Sequence, residues 1–191
     1  MDGTYRPRRR RPARKEGRMT TAEYLATPET VLPRELAFGV LRVADSPRVP
    51  HQRVLGRLHL VMAPLVEARG DGEVLLAPMD VILDYDRALV VQPDLTFVAR
   101  ARAGIVSDKV FGAPDLVVEI LSPHPRIGRL EERIGWFAKY GVRECWLADL
   151  SKQEYVVLVL DGQGVVERRL ARPGGTAPSD VLPGVQLPRL D

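Results

Sequence analysis

Asp115-Leu116-Val117-Val118-Glu119-Ile120-Leu121 is the stretch on which the fold turns. Apart from its two acids it is apolar and rich in branched side chains, the composition of a strand covered on both faces. Side chains alternate along a strand, so Asp115, Val117, Glu119 and Leu121 share one face. A carboxylate aimed from so apolar a strand is costly unless it is neutralised or paired. Glu119 therefore needs a positive partner: a metal ion, an arginine or a basic ligand.

Working outward, residues 126–140 read as a helix closed by Gly141, the residue type favoured just past a helix end. Residues 145–148 read as another strand, so 115–148 is a strand–helix–strand unit. Further on, residues 155–160 and 165–170 flank Asp161-Gly162-Gln163-Gly164 in a hairpin pattern. Upstream, Val54, Leu55, Leu58, Val61, Met62 and Leu65 recur at helical spacing, predicting an amphipathic helix over 51–66. Short strands are expected at 35–43 (with Gly39 as a bulge), 73–76, 80–84, 89–91 and 95–98. Thr20 with Glu23 three residues later suits a capped helix start. The pattern implies an α/β fold, a mixed sheet core flanked by helices.

The chain has 191 residues and a 45% hydrophobic share, enough for one compact domain. Its net charge of +3 is unevenly placed. Residues 1–18 carry eight arginines and lysines against Asp2 and Glu16, which leaves the remainder net acidic. The charge thus belongs to a tail, and net charge alone is no argument for nucleic acid. That tail, rich in Arg and Pro and poor in apolar residues, is expected to be disordered ahead of a domain over 19–191. Translation beginning at Met19 and a nucleic-acid-binding arm both account for it. One cysteine, Cys145, excludes a disulfide framework and a multi-cysteine zinc site. With no apolar run long enough for a membrane span and no secretory leader, a soluble cytoplasmic protein is expected.

Asp94 is the second acid of interest. It follows Pro93 at a strand entry, and a proline keeps the preceding chain extended. Two acids on neighbouring strands can share one hard divalent cation through oxygen ligands, as Mg²⁺ prefers. Such an ion can offset charge building on a phosphate.

Three segments then carry a family resemblance. Val90-Val91-Gln92-Pro93-Asp94-Leu95, Gly112-Ala113-Pro114-Asp115-Leu116-Val117-Val118-Glu119-Ile120-Leu121-Ser122-Pro123 and Gly141-Val142-Arg143-Glu144-Cys145-Trp146-Leu147-Ala148-Asp149 resemble the Uma-type putative restriction endonucleases of the PD-(D/E)XK nuclease superfamily. The resemblance implies a restriction-endonuclease-like fold and a metal-dependent endonuclease cleaving DNA phosphodiester bonds with Mg²⁺ or Mn²⁺. Asp94 and Glu119 take the places of the two metal-holding acids, and Glu35 matches an early acid of the family. His51 matches a histidine at a helix start, for which a packing or capping role is favoured here. The superfamily's lysine position falls on Leu121, which cannot serve. The family's alternative lysine place, on the following helix, falls on Arg133. An arginine can stabilise phosphate charge through a bidentate fork but is a poor proton acceptor.

If the helix begins at 126, Arg126, Arg129 and Arg133 fall at i, i+3 and i+7 and line one stripe, continued by Trp136 and Tyr140. That stripe is the expected nucleic-acid-binding face. Expected partners are DNA and, as an option, a second copy of the chain, with no membrane. Two other classes stay open: a catalytically inactive nuclease-fold module that binds nucleic acid or a protein, and a structural protein in which Glu119 is paired with Arg126 or Arg133.

Overall fold

The computed structural model of the chain describes residues 17–28, 32–121 and 129–191. Residues 1–16 of the basic tail, Ser122 and Arg126 lie outside the described residues, and with them the expectations placed there.

The chain opens with α1 (Thr21–Leu25). The Thr20 hydroxyl accepts the Glu23 amide at 3.2 Å, and Glu23 accepts the Thr20 amide at 2.8 Å. This reciprocal cap satisfies two donors that the helix itself leaves unpaired. Where the sequence suggests a single bulged strand over 35–43, the chain reverses instead, into β1 (Arg34–Ala37) and β2 (Val40–Val43). Ala37 faces Val40 across a two-residue turn. Phe38 at φ 50° and Gly39 at φ 87° take the left-handed conformation that such a turn demands. α2 (Val49–Arg69) buries the expected apolar stripe, including Val54, Leu58 and Met62, and overruns the predicted ends. Pro50 sits in its first turn, where a missing N–H costs nothing, and Gly70 closes it at φ 64°.

β3 (Gly72–Leu76), β4 (Val81–Asp84), β5 (Leu89–Val91) and β6 (Leu95–Ala99) follow, then a 3-10 turn at Arg100–Ile105 and β7 (Val110–Phe111). The key strand is β8 (Leu116–Leu121). After it come α3 (Leu130–Tyr140), β9 (Glu144–Asp149), β10 (Glu154–Asp161) and β11 (Gly164–Ala171).

The strands form two mixed sheets rather than one. The smaller has the order β2-β1-β5-β4-β7, with β4 and β7 parallel. The larger runs β11-β10-β9-β8-β6-β3, with β8 and β9 parallel. β8 lies between β6 and β9, and its alternation sorts the layers. Leu116, Val118 and Ile120 pack with α2 and with Leu182, Val185 and Leu187 of the C-terminal segment. Val117 and Leu121 turn to the opposite side, where α3 and the smaller sheet contribute Phe137, Ala37 and Val91. α1 covers the far face of the smaller sheet through Tyr24, against Leu36, Ile82 and Val90. Glu119 therefore emerges on the side where β1 and α3 meet the larger sheet.

The helix after β8 starts at Leu130, later than the sequence suggests. Glu131 and Glu132 fill its first turn, where carboxylates favour the positive end of the helix dipole. Arg129 is left outside, in an extended conformation at φ −86° and ψ 139°. The expected stripe of Arg129, Arg133, Trp136 and Tyr140 on one exposed helix face is thereby corrected: Arg129 is exposed but not helical, and Arg133 and Trp136 are buried.

Candidate active site

Glu119 and Asp94 are brought together by strand register. Leu95 pairs with Val118 between antiparallel β6 and β8, so Asp94, one residue before β6, comes opposite Glu119. Both oxygens of Asp94 are held by the protein. The Ile120 amide donates to Oδ2 at 2.7 Å, and His51 Nε2 lies 3.0 Å from Oδ1. His51 is buried at the start of α2, and its Nδ1 has no hydrogen-bond partner among the described residues. Its role in this arrangement is to orient Asp94.

Glu35 arrives from β1. It shares a strand face with Ala37, which packs toward the larger sheet, while Leu36 between them points to the α1 side. The Glu35 side chain is almost completely buried, and the Gln92 amide donates to its Oε1 at 2.7 Å. Arg133 of α3 closes the cluster. Its Nη1 donates to Glu35 Oε2, and its Nη2 donates to Glu119 Oε1 at 2.5 Å. The guanidinium also stacks on Phe137, 5.6 Å from the ring centre. This is the pairing that the structural alternative anticipated for Glu119.

Burial pushes the Glu119 carboxyl up to about 7; Arg133 opposes the rise, and the nearby Asp94 and Glu35 charges add to it. Burial works against the charge on Arg133, but Glu119 and Glu35 outweigh it and raise its proton affinity above the ordinary value. Among the described residues, Glu35 and Glu119 thus share the Arg133 guanidinium, while Asp94 faces His51.

Behind Glu35 lies a second polar layer that the sequence reading missed. Gln92 Nε2 donates to Asp80 Oδ1 at 2.9 Å, and Gln92 Oε1 accepts the Arg34 amide at 3.2 Å. Asp80 also accepts from the Tyr24 hydroxyl at 2.8 Å and pairs with Lys109 at 2.9 Å. Two clamped ends thus fix the Gln92 backbone, and with it Glu35. The available signal was Gln92 itself, a polar residue set between Val91 and Pro93.

The other residues singled out sit apart. Asp115 is buried as a strand-entry residue: its Oδ2 accepts the Ala99 amide at 2.9 Å, and its carbonyl accepts the Arg143 amide at 3.0 Å. Cys145 is fully buried, and burial raises its thiol well above the ordinary value, so it packs rather than reacts.

The donor types suit a hard divalent cation, because carboxylate oxygens are what such an ion prefers. Yet no group of three or more His, Cys, Asp or Glu among the described residues is arranged as a ready cage. Arg133 also holds an oxygen of Glu119 that a cation would share. Also among the described residues, no helix is long and apolar enough to cross a membrane.

Comparison with known proteins bears on this cluster. Residues 21–189 match the model of the Uma2 family, described as putative restriction endonucleases. The crystal structure of a putative nuclease belonging to DUF820 from Anabaena variabilis ATCC 29413 shares the fold. It has a TM-score of 0.71 over 86% of this chain and 91% of that one, at 20% identity. No curated protein matches the sequence.

Proposed function

The chain belongs to the Uma2 family of putative restriction endonucleases, and from that premise we propose that it is a nuclease acting on DNA phosphodiester bonds at the Asp94, Glu119, Glu35 and Arg133 cluster. The observation that carries this reading is the convergence of three acids from three separate segments, with Arg133, among the described residues, bridging two of them. Asp94 and Glu119 would hold Mg²⁺ or Mn²⁺. When bound, such an ion polarises a phosphoryl oxygen as a Lewis acid.

The chain's own residues do the positioning. His51 and the Ile120 amide orient the Asp94 carboxylate. The Gln92 amide orients Glu35. Arg133 turned from Glu119 toward a phosphate would offer two parallel N–H donors. It stays protonated, so its contribution is charge stabilisation and not proton acceptance.

The test is nicking of supercoiled plasmid with Mg²⁺ or Mn²⁺, beside calorimetry of Mn²⁺ binding, on wild type and Asp94→Ala. Mn²⁺ binding and nicking by the wild type, both lost in Asp94→Ala, are the expected outcome. A protein that neither binds Mn²⁺ nor nicks overturns the reading. One observation favours a second reading, a nuclease-fold module without catalysis: Arg133 already closes on both Glu35 and Glu119. Mn²⁺ binding with intact plasmid would select it.

A further inference from the structure

The β1–β2 turn and α3 build a cationic surface beside this cluster that the proposed chemistry does not use. Arg42 is paired in register with Glu35, so the two side chains lie on one face of the β1–β2 hairpin. Its guanidinium stacks over Trp136 at 5.5 Å and pairs with Glu132 at 3.1 Å. Trp136 meets Phe38 edge to face, with ring centres 5.7 Å apart. Arg87 stacks over the other aromatic, 5.1 Å from the Phe38 ring. Arg18 Nη1 donates to the Phe38 carbonyl at 3.2 Å. Asp86 precedes Arg87 directly, and Asp84 is engaged: its Oδ1 accepts the Arg87 amide at 3.0 Å and its Oδ2 the Tyr140 hydroxyl at 2.9 Å.

We propose that Arg42, Arg87 and Arg18, arrayed on the Phe38–Trp136 pair, form a track for the phosphate backbone of duplex DNA leading to the Glu35 side of the site. A guanidinium laid flat on an aromatic ring is pre-ordered, yet its edge N–H groups still point outward and match a phosphate in bidentate fashion. Two such groups, with Arg18 held by the Phe38 carbonyl beside them, can follow a backbone without reading bases. The body outside the tail is net acidic, so a local cationic surface is what its own DNA affinity requires. The basic run of residues 1–18 joins the body at Arg18, one end of the track. This assignment rests on the nuclease reading, since it supplies that site's substrate path.

The experiment is fluorescence anisotropy of a labelled DNA duplex over roughly 50–300 mM salt, across which the Debye length shortens from about 14 Å to about 6 Å, with the full chain. Each phosphate contact contributes a slope of about −0.9 in log affinity against log salt, or roughly eightfold in affinity at 0.1 M salt. Arg42→Gln, Arg87→Gln and Arg18→Gln should each shift the slope by about 0.9 toward zero, and the triple variant by about 2 to 3. Arg42→Lys keeps the charge and should keep the slope while weakening the complex. Arg53→Gln, exposed on α2 across the larger sheet, should change neither. An unchanged slope in the triple variant, or an equal fall in Arg53→Gln, overturns the track while leaving the nuclease reading standing. A wild type that binds no duplex at all overturns both.

Discussion

Replacing Arg133 by methionine tests the central electrostatic claim most directly. Methionine keeps the unbranched bulk of the side chain, so the cavity contribution is small. What disappears is the guanidinium that bridges Glu35 and Glu119. Glu35 is almost fully buried and the Glu119 side chain is 13% exposed, so little water can take its place. Breaking a buried pair by removing one partner costs about 3–5 kcal/mol, a large share of the 5–15 kcal/mol by which domains are ordinarily stable. Urea unfolding at pH 7.5, followed by the fluorescence of Trp136 and Trp146, measures the difference. The deficit should shrink at pH 5, where the orphaned carboxyls can take protons. Adding Glu119→Gln to the Arg133→Met background should recover part of the loss. Arg133→Lys retains the charge but not the fork, and should lose about 1.5–3 kcal/mol, the worth of one charge-assisted hydrogen bond. A cost below about 1 kcal/mol for Arg133→Met, far under the range for a broken buried pair, or one that does not vary with pH, would refute the reasoning.

Three further outcomes follow from the same geometry. Glu119 binds its proton more tightly in the fold than the ordinary carboxyl value of 4.5, with a folded value of about 7. Its contribution to stability is therefore full below pH 4.5 and lost as pH rises through 7. The urea midpoint should fall across that window in the wild type and flatten in Glu119→Gln. Mn²⁺ should stabilise Arg133→Met by about 2.7 kcal/mol at a hundredfold excess over its dissociation constant, and the wild type by less at the same concentration; equal shifts in both proteins count against a shared cation site. Glu144 accepts from Trp146 Nε1, the Ser179 hydroxyl and the Asp180 and Val181 amides, tying the C-terminal segment to β9. Glu144→Ala should speed hydrogen exchange at the Asp180 and Val181 amides and cost about 3 kcal/mol, as buried donors lose their acceptor; unchanged protection there argues that the segment is held by packing alone.

The elements were largely legible because period and punctuation are local. The alternation through Val117, Val118 and Ile120, the helical recurrence from Val54 to Leu65 and the closing Gly141 all report on a few neighbouring residues. The misreadings also have local causes. Gly39 in an apolar run fits a bulge and a tight turn equally well, and only the return of β2 onto β1 separates them. The start of α3 depends on where a row of charges finds counter-charges. Periodicity places Arg133 on the same stripe whether the helix faces water or the core.

What the sequence by itself determined is that Glu119 could not stand alone: a carboxylate in so apolar a strand requires compensation wherever that strand lies. Which group compensates it is a tertiary matter. Asp94, Glu35 and Arg133 are 25, 84 and 14 positions away, and their meeting depends on strand register, on the β1–β2 reversal and on the face α3 presents. Coulombic attraction between charged side chains acts through space, whereas the hydrophobic pattern that shapes helices and strands is written along the chain.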